Sequence, residues 1–360
     1  MSIGNNIKKF RLSKSLSLQQ LADLVNLSKA SIQQYEDGST QPSNKALLAI
    51  AQALQVNLWS FFETSEISLE LAEFRHGEKL TDSENEKKRI HDEVITRSQG
   101  FMELENLLNA GINFDNPLQD MHIKTVEDGE LAARQLRKKW KLQNLPIDSL
   151  CNLLEEQGFK ILTVERQTDS PGICGFIREH EQVIPFIILN ILHEHVRETT
   201  RKRFTLAHEC AHLLLKMDET VSKDLGEKIC NRFASAFLLP AGALTDFLGS
   251  HRIGISLAEL RELKEIYGLS IMSIIYRASE IGLIGKEICR EWIDQYNGWR
   301  VAQEGFGTFS KSKEEPTRLN RLVNRALSEQ RISREMVAEL LHVPLDQINS
   351  KFGHQKLNLI

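Results

Sequence analysis

Arg203-Phe204-Thr205-Leu206-Ala207-His208-Glu209-Cys210-Ala211-His212-Leu213-Leu214-Leu215 is the stretch around which the rest of the chain can be ordered. Its apolar residues recur at helical spacing, which predicts a partly buried helix. On such a helix His208 and His212 lie on adjacent turns of one face. Two imidazoles so placed can hold one zinc ion, and Glu209 sits beside them. Zinc lowers the pKa of a water to about 7, and a neighbouring carboxylate can take the proton as the oxygen attacks a peptide carbonyl. His208 and His212 are therefore candidate zinc ligands and Glu209 the candidate general base. The plainer alternative is a pair of ordinary helix histidines, against which the apolar surroundings of the motif argue.

Working outward, a third ligand is needed. Asp218, Glu219, Asp224 and Glu227 are the nearby carboxylates. Glu227 opens an amphipathic run through Cys230, Phe233, Ala234 and Phe237 to Pro240, so a second helix packed on the first can bring it to the metal. Upstream, β signal is confined to roughly 159–190. Phe159 to Val164 reads as a strand, and Ile173–Arg178 with Val183–Leu189 as a hairpin. Ile173–Arg178 is a candidate sheet edge on which an extended peptide could pair. His193 and His195 fall in an expected loop.

The first sixty residues read as five short helices. Ser17 and Ser28 are N-cap residues before two of them, joined by Asn26-Leu27-Ser28. That is helix-turn-helix geometry. Lys29, Ala30, Ser31, Gln33 and Gln34 would face outward from the second helix, with Ser28 at its start; Gln can pair with adenine, and Ser or Lys can reach bases or phosphates. Gln19 would meet a phosphate at the start of the preceding helix. Ala22, Leu24, Ile32, Leu47 and Ile50 would form the small core. Ser333 to Ile348 faintly echoes the two-helix pattern near residue 17, although an ordinary helical hairpin accounts for it as well.

The run Ile7-Lys8-Lys9-Phe10-Arg11, Ser17 to Ala22 and Ser28 to Gly38, continued by Pro42, Leu47, Ile50 and Leu54, resembles the phage-repressor-like helix-turn-helix family called XRE or Cro/C1-type. That resemblance implies a dimer on a double-stranded DNA operator. Arg201 to Leu215, together with Glu227-Lys228-Ile229-Cys230-Asn231-Arg232-Phe233-Ala234, is similar to the ImmA/IrrE family of metallo-endopeptidases. It implies that His208, His212 and Glu227 are the zinc ligands and Glu209 the base. It also implies a zincin-like fold and a protein substrate of repressor or antitoxin type. The similarity extends over about 145–290. Cys210-Ala211 stands where that family commonly has Leu-Gly, and Cys230 where it has Ala; both cysteines read as core thiols.

Composition sets the outer bounds. The 360 residues carry 41% apolar and 26% charged residues, ordinary for a globular chain of two or three domains. No run of eighteen apolar residues occurs, so no membrane span is expected. Five scattered cysteines and no apolar leader point to reduced thiols and a cytoplasmic location. Net charge is -4, yet residues 1–60 hold six cations against three anions. The fold class expected is α+β, mostly α. A five-helix DNA-binding domain (1–64) and a helical connector (65–144) precede a zincin-like peptidase domain with a small sheet (145–290) and a helical C-terminal region (291–360). The function expected is a DNA-binding regulator that uses Zn2+ to cut a repressor, an antitoxin or itself. The alternative is a non-proteolytic repressor or antitoxin whose zincin fold serves as a sensor or dimerisation body.

Overall fold

The computed structural model describes residues 3–14, 16–62, 67–71, 84–165, 171–179, 182–299, 306–341 and 343–352. It begins with α1 (Ile3–Ser13), α2 (Leu18–Leu24), α3 (Lys29–Glu36), α4 (Asn44–Leu54) and a 3-10 turn, Leu58–Phe61. This is the expected five-helix head. Its helices start where the serines are: the Ser17, Ser28 and Ser43 hydroxyls each accept a backbone N–H from the first turn. The α2–α3 turn is made by Asn26 at φ 53°, and α3 stops before Gly38 at φ 77°. Arg11 and Glu36, both buried, form a two-pronged ion pair at 2.6 and 2.7 Å that ties α1 to the end of α3.

One expected core residue is misplaced. Leu24 is 58% exposed, and Leu21 occupies the interior instead. Leu18, Leu21, Ala22 and Val25 share one face of α2. Leu24 lies roughly 110° from its centre at 3.6 residues per turn, so it cannot join them.

Further along come β1 (Ile67–Leu71), α5 (Glu84–Leu107), α6 (Val126–Lys139), α7 (Leu150–Glu156), β2 (Lys160–Val164), β3 (Gly172–Glu179) and β4 (Gln182–Asn190). The sheet order is β1-β3-β4-β2, antiparallel except for the β2–β4 pair. The hairpin was legible, but β1 was not: it lies in the stretch expected as a helical connector (65–144). Its Ile67–Leu71 pairs with Gly175–Glu179, so most of the expected edge Ile173–Arg178 is already occupied. The pairing joins residues more than a hundred apart, which no local pattern signals.

Then follow α8 (Glu194–Arg197), α9 (Thr199–Leu214), α10 (Lys223–Leu238), α11 (Ala241–Leu248), α12 (Leu257–Tyr267), α13 (Ile271–Glu280) and α14 (Lys286–Trp299). The chain closes with α15 (Arg318–Ser328), α16 (Arg334–Leu341) and α17 (Leu345–Phe352).

The sheet is apolar on both faces. Ile161, Cys174, Ile187 and Leu189 enter a core built with α6, α7 and α9 to α13. Leu162, Ile173, Ile177, Phe186 and Ile188 enter a second core, shared with the head, α5 and α15 to α17. Alternation along β4 sends neighbouring residues to opposite cores. Its unbroken run Phe186-Ile187-Ile188-Leu189 is what a strand covered on both sides requires.

Polar links fasten the C-terminal region to the sheet and to α7. Glu105 of α5 accepts from Lys160 of β2 at 2.5 Å and from Arg318 of α15 at 2.9 Å. Glu314, fully buried, accepts from the backbone N–H groups of Leu150 and Cys151 at 3.0 and 2.9 Å. It also pairs with Arg203 of α9, itself fully buried. Phe309 lies over that guanidinium, 4.5 Å from ring centroid to the Arg203 carbon. Arg203 therefore serves the fold.

Candidate metal centre and nucleic-acid face

The helix predicted across Arg203 to Leu215 is α9, capped at its start by the Glu198 side chain. Its inner face is packed by Leu206, Ala207, Cys210, Ala211, Leu213 and Leu214. His208 and His212 occupy the flank toward α10, only partly covered. α10 begins at its cap Ser222 and carries Glu227 in its second turn, one turn later than the sequence suggested. It packs Ile229, Cys230, Phe233, Ala234 and Phe237 inward, which aims Glu227 at the two histidines.

The three side chains converge. His208 Nε2 is 3.0 Å from His212 Nε2. Glu227 puts Oε2 3.1 Å from His208 Nε2 and Oε1 3.4 Å from His212 Nε2. Among the described residues they are the group of histidine, cysteine and carboxylate ligand atoms close enough to share an ion. Zinc bonds of about 2.0–2.1 Å in a tetrahedron set ligand atoms about 3.3–3.4 Å apart. The observed spacings match within a few tenths of an ångström, so this donor set fits zinc.

The back of each imidazole is also held. His208 Nδ1 lies 3.0 Å from Asn231 Oδ1. A carbonyl oxygen only accepts, so a neutral His208 carries its proton on Nδ1 and leaves the Nε2 lone pair free to hold a metal ion. His212 Nδ1 is 3.6 Å from Cys230 Sγ. Burial raises that thiol far above its ordinary value and keeps it neutral. Asn231 was missed from the sequence, although its spacing of four from Glu227 puts both on one helix face. Glu209 is 6% exposed and follows His208 directly. A Cβ on Gly172 would stand 3.0 Å from Glu209 Oε1, so the bare glycine at the start of β3 makes room for the carboxylate.

Of the other carboxylates, Glu219 and Asp224 are exposed. Asp218 is held by Thr220 and Lys124 and lowered to about 2, chiefly by the Thr220 hydroxyl. Nearby, Arg277 is buried and bonded to the Leu239 carbonyl and Glu130. The Tyr267 hydroxyl donates to the Asn144 carbonyl at 3.3 Å.

Protonation follows from this geometry. Burial pulls the His208 imidazole down, but the Glu227 hydrogen bond and the Glu209 and Glu227 charges outweigh it and raise it above its ordinary value. Glu227 lies below the usual carboxylate range, chiefly through its bond to His208. Zinc needs a neutral imidazole, so a proton competes with an ion at His208, and the raised value moves that competition to higher pH. Zinc affinity should therefore fall as pH drops from 8 to 6, by about tenfold per unit once one proton competes. Competition titration with a chelator reads this directly. An affinity flat over that range would remove His208 from the ligand set.

At the other end of the chain, Gln19, Ser28, Lys29, Ala30, Gln33 and Gln34 are exposed and Ser31 is half-buried. Lys29, Ala30, Gln33 and Gln34 line the outer face of α3. The Ser28 hydroxyl is used as the helix cap, 3.0 Å from Ser31 N and 2.8 Å from Ser31 Oγ. Gln19 donates to Asp23 at 2.8 Å. No helix of the head carries an acidic residue in its first turn, which leaves those positive ends open to phosphate.

Two family models match the chain. Residues 7–58 match the model of a helix-turn-helix family, and residues 156–279 match that of the IrrE N-terminal-like domain, a peptidase family. An uncharacterized HTH-type transcriptional regulator of Rickettsia conorii is 41% identical over 61 residues, 17% of this chain and 49% of its own length. Another, from Rickettsia prowazekii, is 41% identical over 61 residues, 17% of this chain and 47% of that protein. The radiation response metalloprotease IrrE of Deinococcus deserti is 36% identical over 92 residues, 22% of this chain and 32% of that protein. The chain thus spans about half the length of the two regulators and about a third of the metalloprotease. No helix among the described residues is long and apolar enough to cross a membrane.

Proposed function

We propose, from a chain that carries a helix-turn-helix module and an IrrE N-terminal-like domain, a DNA-binding regulator that works as a zinc endopeptidase. Its target is a repressor or antitoxin, or the chain itself, and it acts at a DNA operator as a homodimer. The observation that carries the reading is the convergence of His208, His212 and Glu227 at zinc-ligand spacing, with Glu209 alongside.

A bound zinc ion would supply Lewis acidity and an acidified water. The chain's own residues do the rest. Asn231 fixes the His208 tautomer, and Glu227 brings the negative charge that favours a dication over two protons. Glu209 takes the proton of the attacking water and passes it toward the leaving amine. Its burial under the start of β3 keeps it away from competing solvent. In the head, Gln33 and Gln34 read base edges while Lys29 and the α2 and α3 starts meet phosphates.

Zinc content tests this reading. Purified wild-type chain should hold close to one zinc ion, and a His208→Ala, His212→Ala double variant should hold almost none. Equally negligible zinc in both, with metal supplied throughout preparation, would leave a DNA-binding regulator without a peptidase.

A further inference from the structure

The echo at Ser333 to Ile348 becomes specific in three dimensions. α16 and α17 repeat the bounds of α2 and α3, to within a residue, at a constant offset of 316 positions, and pack on each other as that pair does. Ser17 Oγ accepts from Gln20 N at 3.2 Å, and Ser333 Oγ accepts from Met336 N at 3.2 Å. Leu21 N donates to Ser17 O at 3.1 Å, and Val337 N to Ser333 O at 3.0 Å. Leu27 N donates to Ala22 O at 2.9 Å across the first turn, and Val343 N to Ala338 O at 3.0 Å across the second. Ile32 N donates to Ser28 O at 3.2 Å, and Ile348 N to Pro344 O at 3.3 Å. Burial repeats too: Leu21 and Ile32 are buried, and so are Val337 and Ile348. α1 and α15 have the same length, eleven residues.

We propose that Arg318–Phe352 is a second helix-turn-helix unit and that α17 makes a further contact to double-stranded DNA. The proposal rests on the head being read as DNA-binding. On α17, Gln347, Asn349, Ser350 and Lys351 are exposed. Asn349 and Ser350 stand where α3 has Gln33 and Gln34, and Asn and Gln are the side chains that pair with adenine. Residues 318–352 carry six cations (Arg318, Arg321, Arg325, Arg331, Arg334, Lys351) and four anions (Glu329, Glu335, Glu339, Asp346), a balance of +2 on a chain of net charge -4.

Two differences set its strength. Glu335 stands in place of Gln19 and Asp346 in place of Ala30, each in the first turn of its helix. A carboxylate there repels phosphate, so the unit binds weakly alone. Tethered to the head, it gains from an effective concentration of order millimolar and adds to the affinity of the whole chain.

The test uses the full-length chain, duplex DNA that the wild type selects from a random-sequence pool, and fluorescence anisotropy over a range of salt. Four proteins are compared: wild type, Gln33→Ala with Gln34→Ala, Asn349→Ala with Lys351→Ala, and all four changes together. The C-terminal pair should bind about tenfold more weakly than wild type, with a shallower salt slope. The head pair should keep residual binding that the four-fold variant loses. A Glu335→Gln, Asp346→Asn variant should bind several-fold more tightly, a gain that misfolding cannot produce. DNA binding unchanged by the C-terminal pair, as it would be for a protein-docking unit, overturns the proposal. Equal binding by the head pair and the four-fold variant overturns it as well. No binding by wild type removes the head's role and this one together, whereas binding that depends on the head pair alone removes only this one.

Discussion

A Glu209→Gln chain is expected to hold zinc as the wild type does and to leave its protein target whole. Gln keeps the size of Glu and so keeps the fit beneath Gly172, where an added Cβ would already stand 3.0 Å from the side-chain oxygen. What is lost is the basic oxygen. General-base catalysis is worth about 10²–10⁴-fold, so cleavage should drop at least a hundredfold. The ligands His208, His212 and Glu227 are untouched, so metal content should stay near one ion per chain. New protein N-termini, mapped by mass spectrometry in cells that express either form, give the readout. Termini present with wild type and missing with the variant identify the substrate. Identical sets in both would sink the peptidase and favour a regulator that works by binding alone.

The second large effect is expected far from the metal. Glu314→Ala removes the buried counter-charge of the Arg203 guanidinium and both acceptors at the start of α7. Breaking a buried ion pair by deleting one partner costs about 3–5 kcal/mol. Against a typical domain stability of about 5–15 kcal/mol, that is a large fraction. Arg203 lies on α9 five residues before His208, so zinc uptake should weaken along with the fold. Glu314→Gln should be milder, because its amide oxygen can still accept one α7 N–H while the guanidinium loses its counter-charge. Urea unfolding of the three proteins measures the order. A Glu314→Ala midpoint within error of wild type would mean that this segment is not part of the peptidase core.

The parts legible in the sequence were those written locally. Serine caps, the spacing of four in His208 and His212, and the amphipathic run after Glu227 each specify their geometry within a turn or two. Glu227 stood out among four carboxylates because it alone opened such a run. Asn231 could have been found by the same spacing argument. What stayed hidden was non-local. β1 finds β3 across more than a hundred residues, and Glu314 reaches back to Arg203 across 111. Neither Ile67-Ser68-Leu69-Glu70-Leu71 nor Ser312-Lys313-Glu314 advertises a partner. Leu24 was misread for a different reason: its type suggested the interior, and its angle around α2 put it outside.

The two-faced sheet bears on how such a regulator could be switched off. β1 precedes α5 and stays with the head if the backbone is cut between Leu71 and Glu84, yet its ladder to β3 runs on the far side of that cut. The apolar layer beneath Phe186 and Ile188 is likewise assembled from both sides of it. A nick there would leave two fragments still clasped as one particle. Scission alone would then not be release: the fragment with the head would depart only when something else, an unfoldase or a competing strand, pulled the seam apart.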